Sequence, residues 1–348
     1  MITDFEVVSL GLEAPFGIAR GTQETAENVV VRVTDEGGMT GVGAAGPAAR
    51  YGETGATAEA LLPSLLDAVE SVGDPHALDA AERAMGDHVR GNPAARAAVD
   101  VALHDLVARR LGVPLHRLWG LDPDRAPPTS FTVGLAAPET MGERAAAAVD
   151  AGRDVLKVKL GTDPTTDRER IEAVREAAPD ATIRVDANEG WTPRTAVAAS
   201  EWLADAGVEF LEQPVPADDP EGLRFVYERS ALPVALDESI VRPTDVPAVA
   251  DRADVAVVKV TKCGGLRRTR RAIHVARAHG LEVMLGCMVE SNAAIAAAWQ
   301  LAPLVDYADL DGALLLADDV DPFDGVPIDG SEPDLTGVDR TGTGARER

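Results

Sequence analysis

Eight short apolar runs recur at regular intervals from residue 131 onward. Their starts are separated by about 21 to 27 residues, the length of one strand plus one helix with its turns. The segments between them show helical periodicity and end in glycine, as helices commonly do. The runs are FTVG (131–134), VLKVKLG (155–161), TIRVDANE (182–189), VEFLEQP (208–214), VALDES (234–239), VAVVKV (255–260), EVMLGCM (282–288) and YADLDG (307–312). This α/β alternation predicts a closed parallel (β/α) barrel, with an open doubly wound sheet as the alternative.

The rest of the chain shows a different pattern. Before the first run, the strand-like stretches DFEVVSLGLE and ENVVVRVTDEGG precede helical segments such as NPAARAAVDVALHDLVARRLG. We therefore expect an α+β domain at residues 1–125, a barrel at 126–314, and a segment at 315–348 that packs back on the first domain. The final stretch, TGTGARER, is expected to fray.

Charge limits the partners of this chain. It has 58 acidic and 33 basic residues, giving a formal net charge of −25, while 45% of its residues are hydrophobic and can supply a core. Nucleic acid and anionic membranes are therefore unfavourable partners, and a small-molecule substrate is expected instead. Because high salt screens self-repulsion, an acidic surface also predicts a halophilic protein.

Other sequence features favour a cytoplasmic protein. Two cysteines make no disulfide framework, and MITDFEVVSL has neither the basic start nor the long apolar segment of a signal peptide. No stretch reaches the ~20 apolar residues that a membrane helix needs. We expect cytoplasmic localisation without membrane association.

Lysine use is restricted to two short motifs. Of the 33 basic residues only four are lysines, in LKVKLG and VKVTKCGG: Lys157, Lys159, Lys259 and Lys262. Since side chains two apart on a strand share a face, Lys157 and Lys159 are both expected to point into the barrel. For the same reason, Asp309 and Asp311 are expected to lie on one face of the last strand. Lys262 is interpreted as positional, at the turn that enters the next helix.

Carboxylates stand at the ends of three successive predicted strands, where barrel enzymes place their chemistry. Asp186, Glu212 and Asp237 form a hard oxygen cluster that suits Mg²⁺ and would be costly without a cation. Any one acid at a strand end is also explained as a cap of the next helix. For three successive strands with facing lysines, the metal site is the favoured interpretation.

Together these motifs resemble the enolase superfamily, specifically its muconate-lactonising subgroup and most closely the dipeptide epimerases of the L-Ala-D/L-Glu type. The matching pieces occur in the family's order: KVK (157–159), DAN (186–188), EQP (212–214), DES (237–239) and KVTKCGG (259–265). The resemblance covers nearly the whole chain. It implies a (β/α)7β-type modified TIM barrel with an α+β capping domain, and a homo-oligomer is expected.

By position, the resemblance implies roles for the polar strand ends. Mg²⁺, or Mn²⁺ in its place, would be bound by Asp186, Glu212 and Asp237. Lys159 and Lys259 would be the acid/base pair on opposite faces of the substrate α-carbon, with Lys157 on its carboxylate; such sites combine a Lys or His base with Mg²⁺ and an enediolate. The six histidines lie outside the predicted strand ends, which disfavours a histidine base.

A free lysine with a pKa of about 10.4 is almost fully protonated at neutral pH. A neighbouring ammonium, a divalent cation and a closed site all favour loss of that proton. We therefore expect the Lys157–Lys159 pair to be more easily deprotonated than a free lysine.

The DLDG sequence bears on the choice of substrate. It looks like the Asp-x-Asp motif with which dipeptide epimerases hold a free α-ammonium, here Asp309 and Asp311, although a structural acid pair is the alternative. Further substrate contacts implied by the resemblance are Thr132, Cys287 and Met288, with Arg20 for a substrate side-chain carboxylate. We therefore predict a Mg²⁺-dependent dipeptide epimerase.

Several other activities remain open at this level. Within the superfamily they are muconate or chloromuconate cycloisomerase, o-succinylbenzoate synthase and N-acylamino acid racemase, all of which share abstraction of an α-proton. From other classes, the alternatives are a Schiff-base lyase and a barrel without catalytic turnover. The retention of lysine only at the two motifs argues against the non-catalytic barrel.

Overall fold

The structure is a computed structural model that describes residues 1–336 and 340–348. It begins with a three-stranded antiparallel sheet. Its strands, in spatial order, are β1 (Ile2–Ile18), β2 (Gly21–Thr34) and β3 (Thr40–Ala45). The β1–β2 hairpin pairs from Ile2 opposite Thr34 to Ile18 opposite Gly21, with a register shift between Gly11 and Phe16. The tip of this hairpin reaches the barrel.

Three helices complete this capping domain: α1 (Gly55–Val72), α2 (Leu78–His88) and α3 (Pro93–Arg110). Helix α3 is buried over almost its whole length and lies against β3. A Cβ at Gly41 would stand 2.3 Å from the carbonyl oxygen of Ala102, and one at Gly43 would stand 2.2 Å from that of Ala98. The glycines of β3 and the alanines of α3 therefore permit this close packing.

Eight parallel strands of the described chain form the second sheet, each beside its neighbour in sequence. They are β4 (Phe131–Val133), β5 (Val155–Lys159), β6 (Thr182–Asp186), β7 (Val208–Glu212), β8 (Val234–Leu236), β9 (Val255–Lys259), β10 (Glu282–Gly286) and β11 (Tyr307–Asp309). A parallel bridge between Thr129 and Ala308 joins the first and last strands, and the N–H of Ser130 donates to Ala308 at 3.1 Å. The ring is closed, so the open-sheet alternative is wrong.

Helices follow seven of the eight barrel strands within the described residues. After α4 (Leu115–Leu118), which precedes the barrel, they are α5 (Pro138–Asp150), α6 (Pro164–Ala177), α7 (Pro193–Asp205), α8 (Pro220–Tyr227), α9 (Val246–Val249), α10 (Val260–Cys263), α11 (Leu266–Ala278) and α12 (Asn292–Trp299). Strand β11 is followed by a 3₁₀ helix, Gly312–Leu315. This confirms the predicted (β/α)7β barrel with its capping domain. None of the described helices combines the length and apolar character needed to cross a membrane.

Three of the outer helices share a sequence signal at their starts. Asp163, Thr192 and Asp219 each accept hydrogen bonds from backbone N–H groups of the following first turn, and proline occupies the first helical position after each. Such a cap satisfies otherwise unpaired donors, and proline has no N–H to satisfy. The Asp-Pro and Thr-Pro sequences therefore mark where these helices begin after their strands.

Alternate strand residues face different surroundings. Leu156 and Val158 of β5 belong to the core between strands and helices, so Lys157 and Lys159 point to the barrel axis. The opposite end of the barrel is filled, with the guanidinium of Arg184 stacked on rings at 5.4 Å (Phe210) and 4.9 Å (Tyr307). Open space is left at the carboxyl ends of the strands.

The chain after the barrel returns to the capping domain. Gly342 forms a parallel bridge with Pro114, and Arg109 donates to the carbonyl of Ala345 at 2.9 Å. Thr343 is fully buried and its N–H donates to Asp105 at 2.7 Å, so the predicted fraying is wrong here. Residues 337–339 of the predicted C-terminal segment lie outside the described residues.

Short elements complete the structure. Strand β12 (Phe323–Asp324) pairs with β15 (Arg346–Glu347), and β13 (Ile328–Asp329) with β14 (Glu332–Pro333). Further 3₁₀ helices lie at Ala49–Tyr51, Pro123–Arg125 and Ala302–Leu304.

Candidate active site

A cavity of about 590 Å³ lies at the carboxyl ends of the barrel strands, beneath the capping domain. The β1–β2 hairpin and residues 46–54 form its roof. The predicted site residues that line it are Arg20, Thr132, Lys157, Lys159, Asp237, Lys259, Cys287, Met288, Asp309 and Asp311. The barrel thus brings together residues spread over almost 300 positions of sequence.

Lys157 is enclosed by carboxylates and only 1% exposed. Its Nζ donates to Asp309 Oδ2 at 2.8 Å and to Glu212 Oε1 at 3.0 Å, and lies 3.3 Å from Asp186 Oδ2. Burial by itself lowers the pKa of Lys157, but Asp309, Glu212 and Asp186 together raise it well above its ordinary value. These carboxylates therefore favour the ammonium form of Lys157, and the easier deprotonation expected beside a divalent cation stays a prediction.

Lys159 and Lys259 enter the cavity from opposite sides. They end strands β5 and β9, which are four strands apart in the eight-stranded ring. Lys159 Nζ donates to Asp186 Oδ2 at 2.7 Å, and Lys259 Nζ lies 2.8 Å from Asp237 Oδ2. Despite burial, Asp237 raises the pKa of Lys259 well above its ordinary value. Each amine is thus held by a different carboxylate.

The predicted metal ligands occupy three adjacent strand ends and are buried. Asp186 is opposite Glu212 in the β6–β7 ladder, and Asp237 directly follows β8. Burial and the charge of Asp186 raise the pKa of Glu212 to about 8. Although burial opposes it, neighbouring lysines hold the pKa values of Asp186 and Asp237 below their ordinary range. Cations are therefore favoured among these crowded carboxylates, and the neighbouring lysines already supply ammonium groups there.

The donor chemistry around these carboxylates fits a hydrated divalent cation. The ammonium groups of Lys157 and Lys159 lie among these acids. Within residues 1–336 and 340–348, no three His, Cys, Asp or Glu side chains are arranged so that they could hold a metal ion. Carboxylate oxygens are nevertheless the ligands that Mg²⁺ prefers, together with water. Asn188 Oδ1 and Glu238 Oε2 are buried near them and accept no hydrogen bond within the described chain. Both are suited to accept from the water ligands of such an ion.

Backbone turns after the strands orient two of these acids. Asn188 and Gln213 have φ values of 44° and 35°, in the left-handed region that non-glycine residues seldom adopt. The Asn188 N–H and Nδ2 donate to Asp186 at 2.8 and 3.1 Å, and Gln213 Oε1 accepts from the N–H of Asp237 at 3.0 Å. Asn188 of the DAN sequence therefore fixes the carboxylate of Asp186, and Gln213 of the EQP sequence fixes the backbone of Asp237.

Asp309 and Asp311 face the cavity from the last strand and the turn after it. Strand β11 ends at Asp309, so the expectation that both acids lie on one face of that strand is wrong. Asp309 Oδ1 accepts from Ser130 Oγ, and Asp311 Oδ2 from the N–H of Thr132, both at 2.6 Å. Burial and the charge of Asp309 raise the pKa of Asp311 to about 6.

Arg20, in the hairpin of the capping domain, contacts acids of the barrel. Its Nη2 lies 2.8 Å from Glu238 Oε1, and its Nη1 donates to the carbonyl of Asn188 at 2.9 Å and to Glu189 Oε2 at 3.2 Å. The guanidinium therefore joins the roof of the cavity to its rim. A contact to a substrate carboxylate stays a prediction.

Two residues of the site, Arg50 and Tyr51, were not predicted from the sequence motifs. Arg50 donates to both carboxylate oxygens of Glu189 at 2.7 Å, which ties residues 46–54 to the barrel. Tyr51 lines the cavity, and burial and the charge of Asp237 raise its pKa above its ordinary value. None of these belongs to a catalytic or metal-binding pattern. The available signal was the sequence YGETG (51–55), which resembles the loop beside the specificity loop of dipeptide epimerases.

Comparison with known families covers both domains. Residues 2–120 match the N-terminal domain of mandelate racemase / muconate lactonizing enzyme, and residues 140–338 match the enolase C-terminal domain-like family. The chain belongs to the mandelate racemase/muconate lactonizing enzyme family. The resemblance inferred from the sequence motifs is therefore confirmed.

Within this family, the chain is similar to proteins named for dipeptide epimerisation. It is 38% identical over 321 residues to the L-Ala-D/L-Glu epimerase of Bacteroides thetaiotaomicron, covering 92% of this chain and 81% of that protein. With the Escherichia coli L-Ala-D/L-Glu epimerase it is 39% identical over 312 residues, covering 89% and 93%. The dipeptide epimerase of Enterococcus faecalis V583, solved with Mg and L-Leu-L-Tyr, has a TM-score of 0.89 at 32% identity, covering 99% and 98%.

Proposed function

We propose that this protein is a Mg²⁺-dependent epimerase of dipeptides with a free N-terminus. The observation that carries the proposal is the pair Lys159 and Lys259, four strands apart and directed into one cavity. A racemising or epimerising enzyme needs an acid/base group on each face of the reacting carbon. The names of the similar proteins, and the dipeptide in the E. faecalis structure, support the same substrate class.

The proposed reaction is inversion at the α-carbon next to the free carboxylate. One lysine, as a neutral amine, removes the α-proton, and negative charge moves to the carboxylate to give an enediolate. The ammonium of Lys157 stabilises that charge. The other lysine, protonated, returns a proton to the opposite face. Asp186, Glu212 and Asp237 would hold a divalent ion, either Mg²⁺ or Mn²⁺, which when bound would add electrostatic stabilisation of the negative charge on the carboxylate.

The proposed specificity element is the acid pair Asp309 and Asp311. A buried carboxylate is costly without a partner, and a substrate ammonium forms charge-assisted hydrogen bonds with it. Asp309 is already paired with Lys157 at 2.8 Å, whereas Asp311 is hydrogen-bonded by Thr132 and has no ion-pair partner within the described chain. Asp311 is thus the principal acceptor for the ammonium. An N-acylated substrate would leave this acid unpaired and should be rejected.

A dipeptide library incubated in D₂O with Mg²⁺ tests the proposal. Substrates should gain one α-deuterium, detected by mass spectrometry, and form their epimers. EDTA should abolish exchange and Mg²⁺ or Mn²⁺ restore it. N-acetylation of the best substrate should lower kcat/KM by on the order of 10²-fold, which is about 2.7 kcal/mol. Faster turnover of N-acylamino acids or muconate would contradict the dipeptide assignment, and full activity after exhaustive chelation would contradict the metal.

A further inference from the structure

The ammonium of Lys262 occupies a closed slot with three acceptors. Its side chain is fully buried, and its Nζ donates to the carbonyl of Asp237 at 2.6 Å, to the carbonyl of Val257 at 2.9 Å and to Asp237 Oδ1. An ammonium group has three N–H donors, so its hydrogen-bonding capacity is matched by these acceptors. Two of the three belong to Asp237.

This slot explains why a lysine is retained there. The chain uses lysine four times, and the other three lysines line the cavity, whereas Lys262 does not. An arginine would bring a planar fork of five donors to a place that satisfies three. The remaining N–H groups would be buried without acceptors, which costs free energy. The composition and the contacts thus point to the same role.

We infer that Lys262 is a positioning residue that fixes the carboxylate of Asp237 for metal binding. With Oδ1 held by Lys262, the other oxygen, Oδ2, lies 2.8 Å from Lys259 and is the one presented to the cavity. Gln213 fixes the backbone of the same residue, and the two carboxylate oxygens of Asp237 are held by Lys259 from the cavity and by Lys262 from outside the cavity. The inference rests on the proposed function through Asp237 as a metal ligand.

Calorimetric titration of metal-free protein with Mg²⁺ tests this role without any turnover assay. Lys262→Met should weaken Mg²⁺ binding by about 10- to 100-fold, as for other groups that orient metal ligands. Lys262→Arg should recover at most part of that loss. Cys263→Ser is the control, because Cys263 is buried on the same short helix without lining the cavity, and its Mg²⁺ affinity should equal that of the unmodified protein.

A double-mutant cycle separates positioning from a general effect on folding. In the Asp237→Asn background, Lys262→Met should cost little further Mg²⁺ affinity, because its target carboxylate is gone. The rise in Tm on adding Mg²⁺ should also shrink in Lys262→Met. Because removal of a nearby positive charge favours tighter cation binding, unchanged or tighter Mg²⁺ binding in Lys262→Met would overturn the inference.

Folding provides a second check. Failure of Lys262→Met and Lys262→Gln to fold in Mg²⁺, while Cys263→Ser folds, would also overturn it in favour of a purely structural lysine. If the unmodified protein bound Mg²⁺ but epimerised no dipeptide, the proposed function alone would fail. If it bound no divalent cation, both would fail.

Discussion

The amines of Lys159 and Lys259 each rest against one carboxylate, Asp186 and Asp237, on opposite sides of the cavity. If they act on opposite faces of the α-carbon, Lys→Ala at either position should slow epimerisation by at least about 10²- to 10⁴-fold. Each single variant should still exchange the α-proton of one stereoisomer with D₂O, measured by NMR on separate L- and D-substrates. Lys→Arg variants, which keep the charge but cannot act as bases, should behave like the alanine variants. Equal exchange of both isomers by Lys159→Ala would contradict its role.

Asp311 predicts a pH dependence of substrate binding. Because burial and Asp309 raise its pKa to about 6, Asp311 is ionised above that pH and becomes neutral as the pH falls through it. The neutral acid binds an ammonium poorly, so KM for a free dipeptide should rise about tenfold from about pH 7 to about pH 5. Asp311→Asn should raise KM at pH 7 and lack this step, while Mg²⁺ affinity stays unchanged. A KM that is independent of pH in this range would exclude Asp311 from ammonium binding.

The sequence was sufficient to identify the site residues that belong to short motifs, but it was not sufficient to predict the contacts between their side chains. The motifs predicted that Lys157 and Asp309 belong to one site, because strand ends of a parallel barrel meet at one face. They did not predict that these two side chains are hydrogen-bonded at 2.8 Å, which depends on side-chain rotation. Nor did they predict that Arg20 contacts Glu238, because the hairpin tip lies far from the barrel in sequence.

Among the elements, the loop after β5 is held by one buried acid. Asp167 of α6 accepts five hydrogen bonds, two from backbone N–H groups of Gly161 and Thr162, the others from side chains of Thr162, Arg170 and Trp191. Asp167→Ala should therefore lower the free energy of unfolding by about 3–5 kcal/mol, the range for breaking a buried ion pair. Urea unfolding monitored by circular dichroism measures this change.

The matched control for that variant is Asp163→Ala on the same loop. Asp163 caps α6 at the exposed surface with bonds of 3.1 Å to Thr165 and Thr166, so its loss should cost only about 1 kcal/mol. Asp167→Ala should also slow α-proton exchange by Lys159 more than α-proton exchange by Lys259, because the loop that Asp167 holds follows β5, the strand that ends at Lys159. Equal losses of stability in the two variants would mean that Asp167 does not organise the loop.

Element positions could be predicted from the sequence, and element ends could not. All eight barrel strands fall within their predicted runs because buried parallel strands are continuously apolar. Each strand ends one to three residues before its predicted run ends, because the apolar pattern does not mark the last hydrogen bond between neighbouring strands. Asp311 illustrates the consequence, because it lies beyond β11 and faces the cavity from a turn.

For the whole molecule, the two domains are joined by buried polar groups that contact backbone. Asp100 of α3 accepts from the N–H of Leu266 at 2.7 Å, and Glu290 accepts from the N–H of Gly46 at 2.8 Å. These partners are 166 and 244 residues apart in sequence. Because a backbone N–H is the same at every residue, no residue pattern identifies such pairs in advance. The capping domain was predictable as an α+β unit, but not how it docks.

The net charge of −25 makes the stability of the whole protein depend on salt. At low ionic strength this charge destabilises the compact state by self-repulsion, and salt shortens the screening length from about 10 Å at 0.1 M to about 3 Å at 1 M. The urea midpoint should therefore rise as KCl is raised over this range. Glu143, Glu169 and Glu201 are exposed residues in the middle of helices, and they form no ion pair within the described chain. Changing all three to Gln reduces the net charge from −25 to −22. This variant should be the more stable protein at 0.1 M KCl and equal to the parent at 1 M. A midpoint that falls with KCl in the parent would mean that screened ion pairs, rather than self-repulsion, dominate its stability.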